Sequence, residues 1–167
     1  MSDMIRVTKV GYDRVVSQIN NLKREHSQTT YEMAGALEGK SIEENDEYLL
    51  AKIRLNQLES KINSLSVELD RLEVTEQIDF KGVVDFGTTV NITNLDTNQT
   101  KDYTLLSEYD SNVRSGIISI DSPIGEGLTG RRPGDTVEIE MPNGTVIPYE
   151  VNSVSISRFV TASNSDT

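Results

Sequence analysis

The chain has 167 residues, which is enough for one domain of ordinary size or for two small ones. Its formal net charge of −11 argues against a protein that coats nucleic acid through its own contacts with phosphates. It has no cysteine and one histidine, which excludes disulfides, thiolate chemistry and a zinc site of the usual kind.

The sequence shows no membrane or export segment. Its apolar runs are all shorter than the roughly 20 residues that cross a bilayer. Residues 1–4 do not begin a signal peptide. We therefore expect a cytoplasmic protein with no membrane partner.

Residues 1–76 are predicted to form two long helices, the first capped by Thr8. In the second helical stretch, apolar residues alternate at spacings of three and four, as in the seam of a coiled coil. These residues are Leu55, Leu58, Ile62, Leu65, Leu69 and Leu72. The first stretch has a weaker seam at Val15, Ile19, Leu22, His26, Thr29, Met33, Ala36 and Lys40.

The two seams match if the chain folds back at Lys40-Ser41. Pairing residues whose numbers sum to 80 or 81 then brings His26 to Leu55 and satisfies the rest of the seam in one register. We therefore predict an antiparallel coiled-coil hairpin. At about 1.5 Å per residue its arms reach roughly 40 Å, which suits a deep, narrow site.

The tip of this hairpin, residues 40–48, is acidic, with four carboxylates in the five residues 43–47. A structural interpretation is available, because Ser41 followed by Glu44 matches a capping box for the second helix. Acidic residues also favour the positive end of a helix dipole. Charge alone does not distinguish a solvated helix start from a functional tip.

After Glu76, β-branched residues, Asn, Gly and Pro replace the charged helix formers. Short alternating runs predict strands, and Pro142-Asn143-Gly144 predicts a hairpin turn. The runs are 88–93, 102–106, 116–120, 136–140 and 146–151, with one short helix within 124–130. We expect an α+β protein: a hairpin over 1–76, a small antiparallel sheet domain over 77–160, and a disordered tail over 161–167.

Three stretches resemble the Gre factors, the bacterial transcript cleavage factors of the GreA type. The tip, Ile42-Glu43-Glu44-Asn45-Asp46-Glu47-Tyr48, is close to the family's Asp-Leu-x-Glu-Asn-x-Glu-Tyr. The start has Thr8-x-x-Gly11 followed by Leu22-Lys23. The C-terminal part has Ser122-Pro123-Ile124-Gly125 within 118–130, followed by Gly134-Asp135. The resemblance covers nearly the whole chain.

The resemblance implies a C-terminal domain shaped like the FKBP prolyl isomerases, which docks at the secondary channel of bacterial RNA polymerase. The hairpin is inserted towards the active centre, where tip acids help to hold the second Mg²⁺ while the polymerase cleaves a backtracked transcript. The implied acid and Mg²⁺ ligand is Glu44, assisted by Glu43 or Asp46. The implied polymerase contacts are Asp121, Ser122, Pro123 and Ile124. The protein is then a monomeric accessory factor and not an enzyme.

The tip departs from the family pattern at two places. Lys40-Ser41 replaces the family's Gly-Asp, so Ser41 offers a neutral oxygen where a principal acid is expected. Leu37 replaces an Arg of the basic patch that contacts the RNA 3′ end. Lys40, Lys52 and Arg54 are the candidates in this sequence to compensate for this loss and contact the RNA 3′ end.

Three functions stay open at this point. The first is a transcript cleavage factor that depends on Glu44. The second, prompted by Ser41 and Leu37, is a channel-binding regulator or inhibitor of RNA polymerase with weak or no cleavage stimulation. The third is a coiled-coil adaptor or chaperone, or an active prolyl isomerase, although isomerase pockets are lined by aromatics and this part of the chain has no Trp.

Overall fold

The computed structural model describes residues 3–39, 41–42 and 45–163. Contacts divide the chain into two compact units. One is the helical region 13–71, and the other joins residues 3–12 to the chain from Leu72 onward. The start of the chain therefore clusters with the sheet, while the predicted domain boundary at 76/77 stays a prediction.

Two long helices form an antiparallel hairpin, α1 (Lys9–Ala36, 28 residues) and α2 (Asp46–Asp70, 25 residues). Hydrogen bonds join Arg54 to Glu25 and Asn45 to Ala36, so residue numbers rise along one arm as they fall along the other. The predicted seam contains the buried side chains of Val15, Ile19, Leu22, Thr29, Leu55 and Leu58. In the described part of the chain, no helix is long and apolar enough to span a bilayer.

Helix α2 begins later than the capping-box pattern predicts. Its N-cap is Asn45, whose side-chain oxygen accepts a hydrogen bond from Tyr48 N at 3.1 Å. The prediction that Ser41 caps α2 is therefore wrong. Asparagine is among the preferred caps, and this start puts Asp46 and Glu47 in the first turn, where the helix dipole favours acidic residues.

His26 lies on the predicted seam and its ring reaches a polar partner on the other helix, while its predicted pairing with Leu55 stays a prediction. Its Nε2 lies 3.0 Å from Glu59 Oε1, and its side chain is 32% exposed. A ring nitrogen needs a hydrogen-bond partner, which a carboxylate at the edge of the seam supplies and a leucine cannot.

The second unit holds the strands. In the part of the chain that the structure describes these are β1 (Ile5–Val7), β2 (Leu72–Val74), β3 (Gln77–Ile78), β4 (Thr88–Asn94), β5 (Thr100–Leu106), β6 (Ile117–Ser119), β7 (Thr136–Glu140), β8 (Val146–Ile156) and β9 (Thr161–Ala162). Five of them form one sheet in the order β6-β5-β4-β8-β7. All neighbours are antiparallel except β5 and β6, which are parallel. The predicted α+β class, a helical hairpin followed by a sheet domain with a short helix, is confirmed.

The core of this unit lies between the sheet and the short helix α3 (Pro123–Leu128). Leu128 is fully buried there. Gly127 allows close packing, because a Cβ on it would lie 2.7 Å from Ile139 Cγ1. On the other face of the sheet, polar side chains pair across strands, as in the bond of 2.8 Å between the hydroxyls of Thr89 and Thr104.

Two short parallel ladders flank the sheet, and the sequence analysis did not predict them. Strand β1 pairs with β2, and β3 pairs with β9. Ser163 N also donates to Ile78 O at 2.8 Å. Residues 161–163 are therefore ordered by backbone pairing and are not part of a disordered tail, while residues 164–167 lie outside the described residues.

A buried carboxylate fixes the start of α1. Asp110 is 5% exposed and accepts hydrogen bonds from Thr8 N at 3.2 Å, from the Thr8 hydroxyl, and from Ser107 N and Oγ at 3.2 and 2.6 Å. Thr8 caps the helix as predicted, because Gly11 N donates to its Oγ1 at 3.1 Å. A Cβ on Gly11 would lie 2.1 Å from Asp110 Oδ1, so only glycine leaves room for the carboxylate.

Arg6 makes a second contact between the start of the chain and the later part of this unit. Its guanidinium donates to both oxygens of Asp85, at 2.7 and 3.2 Å, and lies 5.1 Å from the centre of the Phe86 ring. Burial alone would raise the pKa of Asp85. Hydrogen bonds from Arg6 and from the Phe86 backbone outweigh that effect and lower the pKa.

Gly11→Ala is expected to lower the free energy of unfolding by about 1–3 kcal/mol, because the added methyl group overpacks a filled site. Gly35→Ala is the matched control on the same helix. A Cβ there meets nothing within 4 Å, so the variant should gain about 1 kcal/mol from helix propensity. Urea unfolding followed by circular dichroism measures both, and equal effects would contradict this account of Gly11.

Asp85→Asn is expected to cost no more than about 1 kcal/mol at pH 7, because the ion pair with Arg6 is partly exposed. Because folding lowers the pKa of Asp85, this stabilisation is complete above the unfolded-state pKa of about 3.9 and is lost as the pH falls through the folded-state value. Urea unfolding of both proteins should therefore show the difference shrinking below about pH 4. A difference that stays constant with pH would exclude the carboxylate as its source.

Candidate functional site

The segment that joins α1 to α2 lies at the far end of the hairpin. Its ends are Ala36, the last residue of α1, and Asn45, the cap of α2. Ser41 is exposed on it. The predicted residues Lys40, Glu43 and Glu44 lie outside the described residues, so their predicted roles stay predictions.

Two of the tip acids are described, and both point into solvent at the start of α2. Asp46 and Glu47 occupy the first turn of the helix and are exposed. Carboxylate oxygens are the ligands that Mg²⁺ prefers, and an ion shared with a second macromolecule needs only one or two of them from this side. Within the described ranges, no group of three His, Asp or Glu side chains could hold a metal on its own. Asp46 and Glu47 are therefore carboxylates that are accessible to a partner.

The two described basic residues near the tip differ in what they can contact. Arg54 Nε donates to Glu25 Oε1 at 2.8 Å, and its Nη2 contacts the same oxygen. Lys52 is exposed two residues earlier, which places it about 200° away around the helix. In the free protein, Arg54 therefore holds the two arms together, while Lys52 faces a different side.

The outer face of α2 near the tip is apolar. Leu49, Leu50 and Ile53 are 40%, 67% and 55% exposed. Two turns further on, the corresponding surface carries Asn56, Gln57 and Ser60 instead. Contiguous exposed aliphatic residues of this kind are typical of a surface that contacts another protein.

The four residues predicted to contact polymerase lie at the N-terminal end of α3. Ser122 caps the helix, accepting from Gly125 N at 3.1 Å, and Ile124 packs against the core. Asp121 and Pro123 are exposed. Two of the four therefore hold the turn in shape, and the other two are open to a partner.

Sequence reasoning missed Asn45, although its signal was present. Asparagine is a preferred N-cap, and acidic residues in the next two positions mark a first helical turn. The side chain is buried, at 2% exposed, and contacts both helices. The capping-box pattern at Ser41 concealed it.

Comparison with known proteins gives the same family for both parts of the chain. Residues 5–74 match the family model described as transcription elongation factor, N-terminal, and residues 79–156 match transcription elongation factor, GreA/GreB, C-term.

Individual relatives match nearly the whole chain. Transcription elongation factor GreA of Maridesulfovibrio salexigens is 33% identical, over 90% of this chain and 94% of its own. GreA of Chloroherpeton thalassium is 34% identical, over 93% of this chain and 99% of its own. The crystal structure of GreA factor homolog 1 (Gfh1) of Thermus thermophilus is 23% identical, with a TM-score of 0.40 and coverage of 91% of this chain and 99% of its own.

Glu25→Gln is expected to lower the free energy of unfolding by about 0.2–1 kcal/mol, because it breaks an exposed ion pair with Arg54. The loss should vanish in about 1 M salt, where the Debye length is short. Lys52→Gln, at an exposed position on α2, is the control and should stay within about 0.5 kcal/mol of wild type. Urea unfolding at two salt concentrations measures both variants. A salt-independent loss would show that Glu25 acts by some other contact.

Proposed function

This chain belongs to the GreA/GreB family of transcription elongation factors, and from that membership we propose how it acts. Its hairpin enters the secondary channel of bacterial RNA polymerase, and it stimulates the cleavage of backtracked transcripts there. The observation that carries the proposal is the match of both parts of the chain, residues 5–74 and 79–156, to that family. The protein is an accessory factor, and the polymerase active site performs the reaction.

The dimensions of the hairpin support insertion into a channel. Its helices have 28 and 25 residues, which at about 1.5 Å per residue corresponds to roughly 40 Å. The exposed apolar face at Leu49, Leu50 and Ile53 also supports the proposal, because it is a surface that the protein lining of a channel can contact.

Glu44 is the acid that we propose to complete the polymerase's site, with Glu43 or Asp46 assisting. It supplies carboxylate oxygen to an Mg²⁺ ion that the polymerase also holds. When bound, that ion would polarise the scissile phosphate and activate the attacking water. A carboxylate at ~4 Å from a cation contributes on the order of 4 kcal/mol per unit charge at an effective dielectric of 20, which is enough to stabilise a weakly held ion.

The RNA 3′ end is contacted by cations on the sides of the tip. Lys52 is exposed and available to an RNA phosphate, and Lys40 is proposed beside it. Arg54 can join them only by giving up its bond to Glu25. The polymerase rim is contacted by Asp121 and Pro123, which are exposed beside the structural residues Ser122 and Ile124.

The second function, a channel-binding regulator without cleavage stimulation, is motivated by Ser41. A hydroxyl there is a neutral oxygen and contributes less to holding a cation than the acid of the family pattern. The curated relatives are elongation factors, which does not favour this alternative. It is the conclusion to adopt if the wild-type protein binds polymerase but leaves backtracked transcripts intact.

Glu44→Gln is expected to reduce the maximal rate of transcript cleavage about 100-fold or more, because it removes a charge that stabilises the transition state. Ser41→Asp is expected to raise the rate, since it adds a second acid at the tip. The control is Glu32→Gln, an exposed position on α1 whose partner is Gln28. Cleavage is measured on backtracked complexes of bacterial RNA polymerase with Mg²⁺.

The outcomes separate the two functions. Wild-type activity that depends on Glu44 but not on Glu32 supports the cleavage factor. A wild type that cleaves poorly and is rescued by Ser41→Asp supports the regulator. Full activity of Glu44→Gln would contradict the assignment of this acid.

A further inference from the structure

We propose that Asn45 is the positioning residue of the tip: its side-chain amide ties the end of α1 to the start of α2, and this tie is needed for the full rate of the cleavage that the factor stimulates. This inference rests on the proposed function, and it assigns a role to a residue that touches neither metal nor RNA. Asn45 is 2% exposed at an end of the hairpin where its neighbours Asp46 and Glu47 are exposed.

The side chain makes one hydrogen bond to each helix. Its Oδ1 accepts from Tyr48 N at 3.1 Å, and its Nδ2 donates to the carbonyl oxygen of Ala36. Ala36 is the last residue of α1, and Tyr48 lies in the first turn of α2. One amide group therefore satisfies an unpaired group at the end of one helix and at the start of the next.

The backbone of Asn45 is fixed as well. Its N–H donates to Ile42 O at 3.3 Å, and its carbonyl accepts from Leu49 N at 3.1 Å. All four polar groups of the residue are bonded. The amide orientation follows from these partners, because a flipped amide would set NH₂ against the Tyr48 N–H and oxygen against the Ala36 carbonyl.

No other common cap can do both tasks. Aspartate accepts from the Tyr48 amide but has no proton for Ala36 O, and its charge would face that carbonyl. Serine keeps a capping oxygen but lacks the second arm that reaches Ala36. Among these side chains, only a carboxamide carries the acceptor and the donor on two separate atoms, so that each can reach a different helix.

This tie matters because the eight residues 37–44 connect Ala36, at the end of α1, to Asn45, the cap of α2. The tie fixes the end of α1 against the first turn of α2, which carries Asp46 and Glu47. A displacement of about 1 Å in a positioned group can cost on the order of 100-fold in rate. Losing the tie should therefore lower the rate of the reaction while leaving the contacts made elsewhere by the protein intact.

The test compares Asn45→Asp and Asn45→Ser with Asn56→Asp, a control at an exposed position on the same helix. Transcript cleavage on backtracked complexes is measured against factor concentration. Both Asn45 variants are expected to lose about 10- to 100-fold in maximal rate. Their half-saturating concentration should stay within about 2-fold of wild type, because polymerase binding is largely made elsewhere. Asn56→Asp should match wild type in both.

A second measurement on the free protein does not depend on cleavage. The amides of Leu37 and Glu38 donate to Ala34 O and Gly35 O in the last turn of α1. If Asn45 holds that turn, both Asn45 variants should speed hydrogen exchange at these amides, and Asn56→Asp should not.

Each outcome decides a separate point. Maximal rates of both Asn45 variants within about 2-fold of wild type would overturn the inference, because such a change is too small for a lost positioning contact. A raised half-saturating concentration with an unchanged maximal rate would also overturn it, since Asn45 would then serve binding. If wild type itself fails to stimulate cleavage, the proposed function fails. The exchange measurement then decides alone: faster exchange upholds the tie, and unchanged exchange rejects it.

Discussion

The carboxylate of Asp110 is the contact on which the rest of the molecule depends. It is buried and receives donors from Thr8 at the start of α1 and from Ser107 after β5. Leaving a buried carboxylate without donors is costly, so its position is specified by all of these groups together. These hydrogen bonds also require glycine at position 11, because any side chain there would occupy the place of an Asp110 oxygen. The chain thus fixes the first turn of α1 within the sheet-containing unit before the helix continues into the hairpin.

The far end of the hairpin is stabilised by a different kind of contact. A two-helix hairpin can bury only its seam, and the strongly buried apolar side chains of α2 are Leu55 and Leu58, in the middle of the helix. Towards the tip, Leu50 faces outward and the seam residues Met33, Tyr48 and Ala51 are only half-buried. Hydrogen bonds add to this weaker packing, with Arg54 and Asn45 each bonded to the opposite arm. A tip of this construction leaves Asp46, Glu47 and the apolar face open to a partner, as the proposed insertion into polymerase requires.

The elements that leave a repeating pattern of apolar residues in the sequence were predictable. The features that depend on single long-range contacts were not. The heptad spacing predicted the hairpin and its seam, and alternation predicted β4 to β8. The ladders of β1 with β2 and β3 with β9 have two or three residues each, too few to show a period. The bond between Thr8 and Asp110 joins residues 102 positions apart, which no local pattern reveals. At the site, the acidic character of the tip was visible in the sequence, whereas the cap at Asn45 was concealed by a competing pattern at Ser41.

The central claim is that the tip lies beside the RNA 3′ end when the factor is bound. The most direct test places a photo-crosslinking residue at Ser41, which is exposed at the tip, and another at Thr97, which is exposed in the turn between β4 and β5. Each protein is irradiated in complex with backtracked bacterial RNA polymerase carrying RNA labelled at its 3′ end. The account predicts crosslinks to that RNA from position 41 and none from position 97. A bound factor that gives no RNA crosslink from position 41 would contradict it.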